Sequence, residues 1–307
     1  MLSPIGPAFN AFSRDGQRLI GIGSSGEVLF SQLGQLWDRA EIQLVSTHSV
    51  HSYHGRAVTF SPDGNLAASA AEDIVLWDAV TDTKLVRLEH SAQVWSLAFS
   101  PDGRWLVSTH DDGSILLWDV AEREQAASFN GHSASVHAVA FSRDGKRIAS
   151  VGEDRSVIVW SLERQEKEAV LLGHTTRVTS VAFSPDGKRV ASSDMSATTI
   201  LWDLESRKPL KAQKYVPPGG AYSASYCVAF SPDGRFLATT HAVYDANDLH
   251  EVLNVSAERA ALQIGAPYGA AFSPDAKLLA YSTDSGALGL WNTETWQSVD
   301  LVRLGNP

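Results

Sequence analysis

Seven copies of one pentapeptide divide this chain into units of near-equal length. Phe-Ser-Pro-Asp-Gly stands unaltered at 60–64, 99–103, 183–187 and 230–234. Arg replaces Pro at 12–16 and 141–145, and Ala replaces Gly at 272–276. The steps between successive phenylalanines are 48, 39, 42, 42, 47 and 42 residues. A period near 40 residues marks a repeat array, in which each unit buries its apolar faces only against its neighbours.

The fourth repeat shows what the unit is. Residues 136–142 read as a short apolar strand, and Arg143-Asp144-Gly145 as its turn, with Gly supplying a positive φ. Residues 147–151 form a second strand, Glu153-Asp154-Arg155 a second turn, and the β-branched run 157–160 a third strand. After the charged link 163–168, residues 169–172 supply a fourth. One four-stranded antiparallel sheet cannot bury both faces. Packing seven of them radially buries the faces and leaves short edges, the plan of a β-propeller. No long helical period competes, so the expected class is all-β.

The repeats run through nearly all 307 residues, which predicts a single domain over 1–307 with blades at about 8–49, 50–89, 90–131, 132–173, 174–220, 221–264 and 265–307. The formal net charge is −10 and no Lys/Arg block interrupts it. That argues against a nucleic-acid backbone binder, whose affinity rests on clustered cations. The one cysteine, Cys227, excludes an intramolecular disulfide framework and reads as a small buried filler. The first residues lack a basic region and an apolar run, and no stretch is long enough to span a bilayer. The expectation is a cytoplasmic protein without a membrane partner.

The pattern resembles the WD-repeat β-propeller family. A Trp-Asp pair ends the third strand at 37–38, 77–78, 118–119 and 202–203, and persists as Trp160-Ser161 and Trp291-Asn292. A His stands nine residues before the repeat Phe at His51, His90, His132 and His174. The density of Phe-Ser-Pro-Asp-Gly copies is similar to bacterial members. The resemblance implies a tetrad of His, Ser or Thr, Asp and Trp within each regular blade. By position these are His90, Ser108, Asp112 and Trp118 in blade three, and His132, Ser150, Asp154 and Trp160 in blade four. Blade five offers His174, Ser192 and Trp202, with Ser196 where the Asp is expected; blade two offers His51, Ser69 and Trp77. Recurrence in successive blades makes these sets structural rather than catalytic triads.

Blades six, seven and one depart from the pattern. Counting nineteen residues from Phe230 lands on Leu249, with no Trp nearby, so Val252-Leu253-Asn254-Val255 is taken as the third strand of blade six. Family members often complete the last blade with a strand from the N-terminus. Here about seven residues precede the first strand, and 296–302 can serve as the last blade's own fourth strand. The ring is therefore expected to close without strand exchange.

In this family the connections between strands two and three and between blades form the top face. Extra length is expected there within 24–35 and 241–250, and in the link from Trp202 to Phe230. The position four residues before each Phe opens the innermost strand at the top of the channel. It reads Ala8, Arg56, Trp95, His137, Thr179, Tyr226 and Tyr268. Aromatics and Arg dominate interface hot spots, so Arg56, Trp95, His137, Thr179, Tyr226 and Tyr268 are the candidate partner-binding set.

Two other motifs are discounted. Gly21-Ile22-Gly23-Ser24-Ser25-Gly26 matches a dinucleotide fingerprint, but no helix follows to hold a phosphate. His48, His51 and His54 are spaced as metal ligands, but His51 belongs to the blade pattern and a strand does not converge all three rings. The reading is a non-catalytic scaffold that binds a protein or peptide on its top face, with no cofactor, no catalytic residue and no metal. Two rivals remain: a propeller enzyme with a metal or small substrate in its channel, and a structural subunit of an oligomer.

Overall fold

A computed structural model describes residues 9–13, 18–22, 26–33, 42–52, 55–216, 224–262, 267–273, 275–283 and 287–303. These form seven four-stranded antiparallel sheets, one for each pentapeptide copy. Each sheet is assembled, among the described residues, from four strands consecutive in the chain and paired in chain order. Sheet one begins with Phe9–Phe12 and sheet seven ends with Ser298–Arg303. The one helix among the described residues, Val255–Leu262, joins sheet six to sheet seven. No helix among the described residues is long and apolar enough to cross a membrane.

The pentapeptide is a turn whose side chains complete it. In sheet two the Ser61 hydroxyl donates to Asp63 at 2.5 Å and accepts the Leu66 N–H at 2.9 Å. The same pair of bonds recurs at Ser100, Ser142, Ser184, Ser231 and Ser273. The turn closes through a left-handed residue, Gly187 at φ +66° in sheet five. Its counterpart in sheet seven is Ala276 at φ +59°, a conformation that costs a residue with a Cβ roughly 1–2 kcal/mol. Arginines just after the turn tie neighbouring sheets together. Arg18 donates to the Gly64 and Ala79 carbonyls, Arg147 to Gly187, and Arg189 to Ala246.

The chain forms two compact units, 1–136 and 137–307. In the first, Ile20, Ile22, Val28 and Phe30 pack on Phe60, Val75 and Trp77, while Ile74, Leu76 and Leu88 pack on Val94, Leu97, Leu106 and Trp118. In the second, Val157, Val159 and Leu171 of sheet four meet Val178, Val190 and Trp202 of sheet five. Val228, Leu237 and Tyr244 of sheet six meet Leu201 of sheet five, and Phe236, Val243 and Leu253 meet Tyr281 and Trp291 of sheet seven. Each such side chain, fully buried, contributes roughly 1.5–3 kcal/mol, which is why alternate strand faces are apolar.

Two boundary expectations are corrected. The third strand of sheet six is Val243–Asp245, not 252–255; Glu251–Leu253 is the fourth. Tyr244 pairs with Leu237 as Trp77 pairs with Ala67, and the register slips beside both, so Tyr244-Asp245 takes the Trp-Asp place. In sheet one the third strand is Glu27–Leu33, only four residues after the second. The extra length there falls between strands three and four, and Trp37 and Asp38 lie outside the described residues.

Candidate functional site

Sheets two and five carry complete polar networks. In sheet five the Trp202 indole N–H donates to Ser192 Oγ at 2.8 Å. Ser192 Oγ lies 2.7 Å from His174 Nε2, and His174 Nδ1 lies 2.8 Å from Asp194 Oδ2. A carboxylate only accepts, so Nδ1 carries a proton toward Asp194 and Nε2 is left to accept from the serine. Burial alone would raise the Asp194 carboxyl, but hydrogen bonds from His174, Thr198 and Ser196 hold it below the usual carboxylate range. Sheet two repeats the chain as Trp77 to Ser69 at 3.0 Å, Ser69 to His51 at 3.0 Å and His51 to Asp73 at 3.1 Å. Arg87 closes on Asp73 and on the Val50 carbonyl. Asp73 behaves as Asp194 does: burial raises it, and His51 and Arg87 bring it below its ordinary value.

Asp73 and Asp194 were not singled out in the sequence. Ser196 stands where the sequence pattern places the acid, and its hydroxyl donates to Asp194 at 2.8 Å. Asp73 stands four residues after Ser69, the same offset as Asp112 from Ser108, and was legible by that count; at Asp194 the count lands on Ser196, two residues too far.

In sheet three Trp118 donates to Ser108 at 2.8 Å, but the histidine on Ser108 is His110, at 2.9 Å. His110 Nδ1 reaches the Ala92 carbonyl at 3.3 Å. Its burial and the nearby His90 push the imidazole down to about 4. His90 packs edge-on against His110 at 4.2 Å and faces Asp112 at 3.6 Å and Ser114 at 3.4 Å. In sheet four Trp160 donates to Ser150 at 2.8 Å, and Asp154 accepts from the Ser156 hydroxyl at 2.7 Å. His132 is half-buried at the entry to that sheet. In sheet seven Tyr281 stands where the serine would be, packs edge-on against Trp291 at 5.6 Å, and donates to the Thr239 carbonyl at 2.7 Å.

The network serines are closed to chemistry. Ser69, Ser108, Ser150 and Ser192 are fully buried, and each already accepts a Trp N–H. His51 has Ser69 on one ring nitrogen and Asp73 on the other, leaving no lone pair for a cation beside Glu72 and Asp73. Asp245, Asp248 and His250 also approach one another, but Asp245 caps the Asn247 N–H and Asp248 accepts from His250. His54 lies outside the described residues. Burial pushes the Cys227 thiol up to about 12, countered only by Thr240, so it is no nucleophile.

The inner-strand openings differ in what they display. In the first unit the Arg56 guanidinium stacks on Trp95 at 3.8 Å and donates to Gln93 at 3.2 Å. Burial lowers the Arg56 pKa and the Asp111 charge opposes that shift. In the second unit His137 faces Glu153 at 3.5 Å, which also meets Arg177 at 3.6 Å. The Thr179 hydroxyl is engaged by the Ser193 and Ser225 carbonyls. Tyr226 is 40 % exposed, more than Trp95 or His137. Tyr268 lies on the first strand of sheet seven, and Ala8 is outside the described residues. Beside Tyr226, Tyr215 stacks on His241 at 4.4 Å, and His241 bonds the Ala224 carbonyl and Ser256 of the helix.

Residues 93–307 match the family described as IFT122 first beta-propeller. The chain belongs to this WD-repeat β-propeller family. Among curated WD-repeat relatives, "Small ribosomal subunit protein RACK1" of Drosophila melanogaster is 36% identical over 89 residues, 28% of each chain. "Nuclear distribution protein PAC1" of Arthroderma benhamiae is 39% identical over 99 residues, 28% of this chain and 22% of that one. "Small ribosomal subunit protein RACK1z" of Arabidopsis thaliana is 36% identical over 83 residues, 26% of this chain and 25% of that one. The matched stretch thus spans under a third of the length of these curated relatives.

Proposed function

We propose that this chain is a non-catalytic scaffold that binds a protein or peptide through the ends of its innermost strands. The observation that carries the proposal is the closure of the recurrent triad-like sets among the described residues: a serine that is buried and already bonded by Trp has no path to a substrate. The displayed groups are instead recognition groups, Arg56 on Trp95 in the first unit and Tyr226 in the second. His137, Thr179 and Tyr268 complete the set. Two relatives named for a ribosomal subunit and for nuclear distribution support a role through protein partners. The acidic balance supports a partner other than nucleic acid.

Within the same reading the seven sheets are blades of one propeller spanning 1–307, closed without strand exchange. Each sheet's use of four consecutive strands supports that reading. A rigid array of this kind holds anchors in place, so little entropy is lost on binding.

The test is affinity capture from lysate with wild type and with Trp95→Ala/Tyr226→Ala/Tyr268→Ala, both checked for folding by circular dichroism. A partner held by wild type and lost by the folded variant supports the assignment. Equal retention moves the site elsewhere and overturns the residue set.

A further inference from the structure

The outermost strand of sheet five, Lys208–Lys214, differs in burial and in charge from the outermost strands of sheets two, three and four. In sheets two, three and four the residue paired with Leu76, Leu117 or Val159 is Val86, Ala127 or Ala169; in sheet five, the residue paired with Leu201 is Lys211. The residue paired with Ile74, Ile115 or Val157 is Leu88, Phe129 or Leu171, all buried; paired with Thr199 it is Gln213. Two core positions of the blade plan have therefore become polar. No residue of this strand is buried, and Leu210 is 55 % exposed at the register slip. A strand that gives up burial forgoes roughly 1.5–3 kcal/mol per lost core side chain, so packing does not account for this sequence.

Charge runs the same way. Arg207, Lys208, Lys211 and Lys214 project from a chain of formal charge −10, and no acidic residue occurs from 206 to 232. None of the four closes an ion pair among the described residues, although Lys211 acts at longer range on Asp248. The outer strand of sheet four mixes its charges as Glu166, Lys167 and Glu168, and in sheet two, whose outer strand carries Lys84 and Arg87, Arg87 is spent on Asp73. Pro209 and the slip at Leu210 keep the free edge from templating another strand, so recognition here runs through side chains.

We propose that this strand is a docking surface for an acidic, extended polypeptide segment. Seven residues span about 23 Å, the length of a similar extended segment, and the exposed Leu210 sits between cations as an apolar contact. The strand holds no aromatic platform for bases, and the surrounding negative charge repels a long polyanion beyond the strip. The surface is separate from the inner-strand ends and does not depend on that assignment.

The experiment titrates the full chain into a fluorescein-labelled decapeptide of glutamate and leucine at low ionic strength, reading anisotropy. Oligothymidylate and phosphatidylserine-containing vesicles serve as competing probes. Lys208→Glu/Lys211→Glu/Lys214→Glu is compared with Lys84→Glu/Lys146→Glu/Lys188→Glu, which makes the same charge change at other exposed lysines. The expected result is peptide binding weakened on the order of tenfold or more by the first variant, and much less by the second. Equal weakening by both variants, no peptide binding by wild type, or tighter binding of oligothymidylate or vesicles through the same lysines each overturns the proposal. Thermal melts superimposable on wild type are expected for both variants, because all six lysines are exposed.

Discussion

In sheet five the buried Trp202 N–H donates to Ser192, whose hydroxyl reaches His174 and through it Asp194. In sheet seven the equivalent Trp291 packs edge-on against Tyr281, and its N–H meets no acceptor among the described residues. The strand plan, the register and the buried Trp are shared; the means of fixing the Trp is not. Sheet five uses directional bonds, each of which strands a buried polar group if one member is lost. Sheet seven uses ring contact, which tolerates small displacements and carries no charge. The same blade can thus be built from a polar chain or from aromatic packing, and only the first couples the fold to protons.

The largest way to break sheet five is Ser192→Ala, which strands both the Trp202 N–H and His174 Nε2. It should cost about 2–4 kcal/mol in urea unfolding, against about 1 kcal/mol for Tyr281→Phe, which removes one hydrogen bond and keeps the ring. Similar costs would remove the distinction between the sheets.

Acid should sharpen the contrast next. The His110 imidazole is held down to about 4 in the folded chain, so its stabilisation is complete above the unfolded value near 6.5. It is lost as pH falls toward 4, by roughly 3 kcal/mol through linkage. Asp194, whose folded pKa is depressed, adds a loss at lower pH, beginning below the unfolded carboxylate value near 4. His110→Gln should flatten the fall in stability between pH 6.5 and 4, and Asp194→Asn the fall below it. Unchanged pH profiles in these variants would contradict both assignments.

The smallest effects lie in the turns. Gly187→Ala places a Cβ at φ +66° and 2.9 Å from Arg147, and should destabilise by about 1–2 kcal/mol. Ala276→Gly, the reverse change in sheet seven, should stabilise by about 0.5–1 kcal/mol. Thermal melts of the two single variants check the opposite signs.

The repeat phenylalanines located all seven sheets, and in sheets two to seven each is followed by the same Ser–Asp turn, which is local chemistry. Residues set by distance across the sheet were harder to read. Asp194 reaches His174 from a position two residues before the one counted, because what matters is where the carboxylate arrives, not its offset. His110 reaches Ser108 from two places along the same strand face, which no spacing between repeats would reveal. Tyr244 is hard to read because the turn before it is shorter, although Val-Tyr-Asp at 243–245 parallels Leu-Trp-Asp at 76–78 in type and order. The candidate binding set was legible as positions; that Thr179 spends its hydroxyl on two carbonyls depends on the neighbouring sheet.

The comparison turns on a single hydrogen bond, and one paired measurement isolates it. Trp202→Phe and Trp291→Phe remove the same atoms from two equally buried sites, and only the first removes a bond to serine. Equilibrium urea unfolding should find Trp202→Phe less stable than Trp291→Phe by about 1–3 kcal/mol. Equal losses, or a larger loss at Trp291, would contradict the claim that polar closure holds one sheet and ring packing the other.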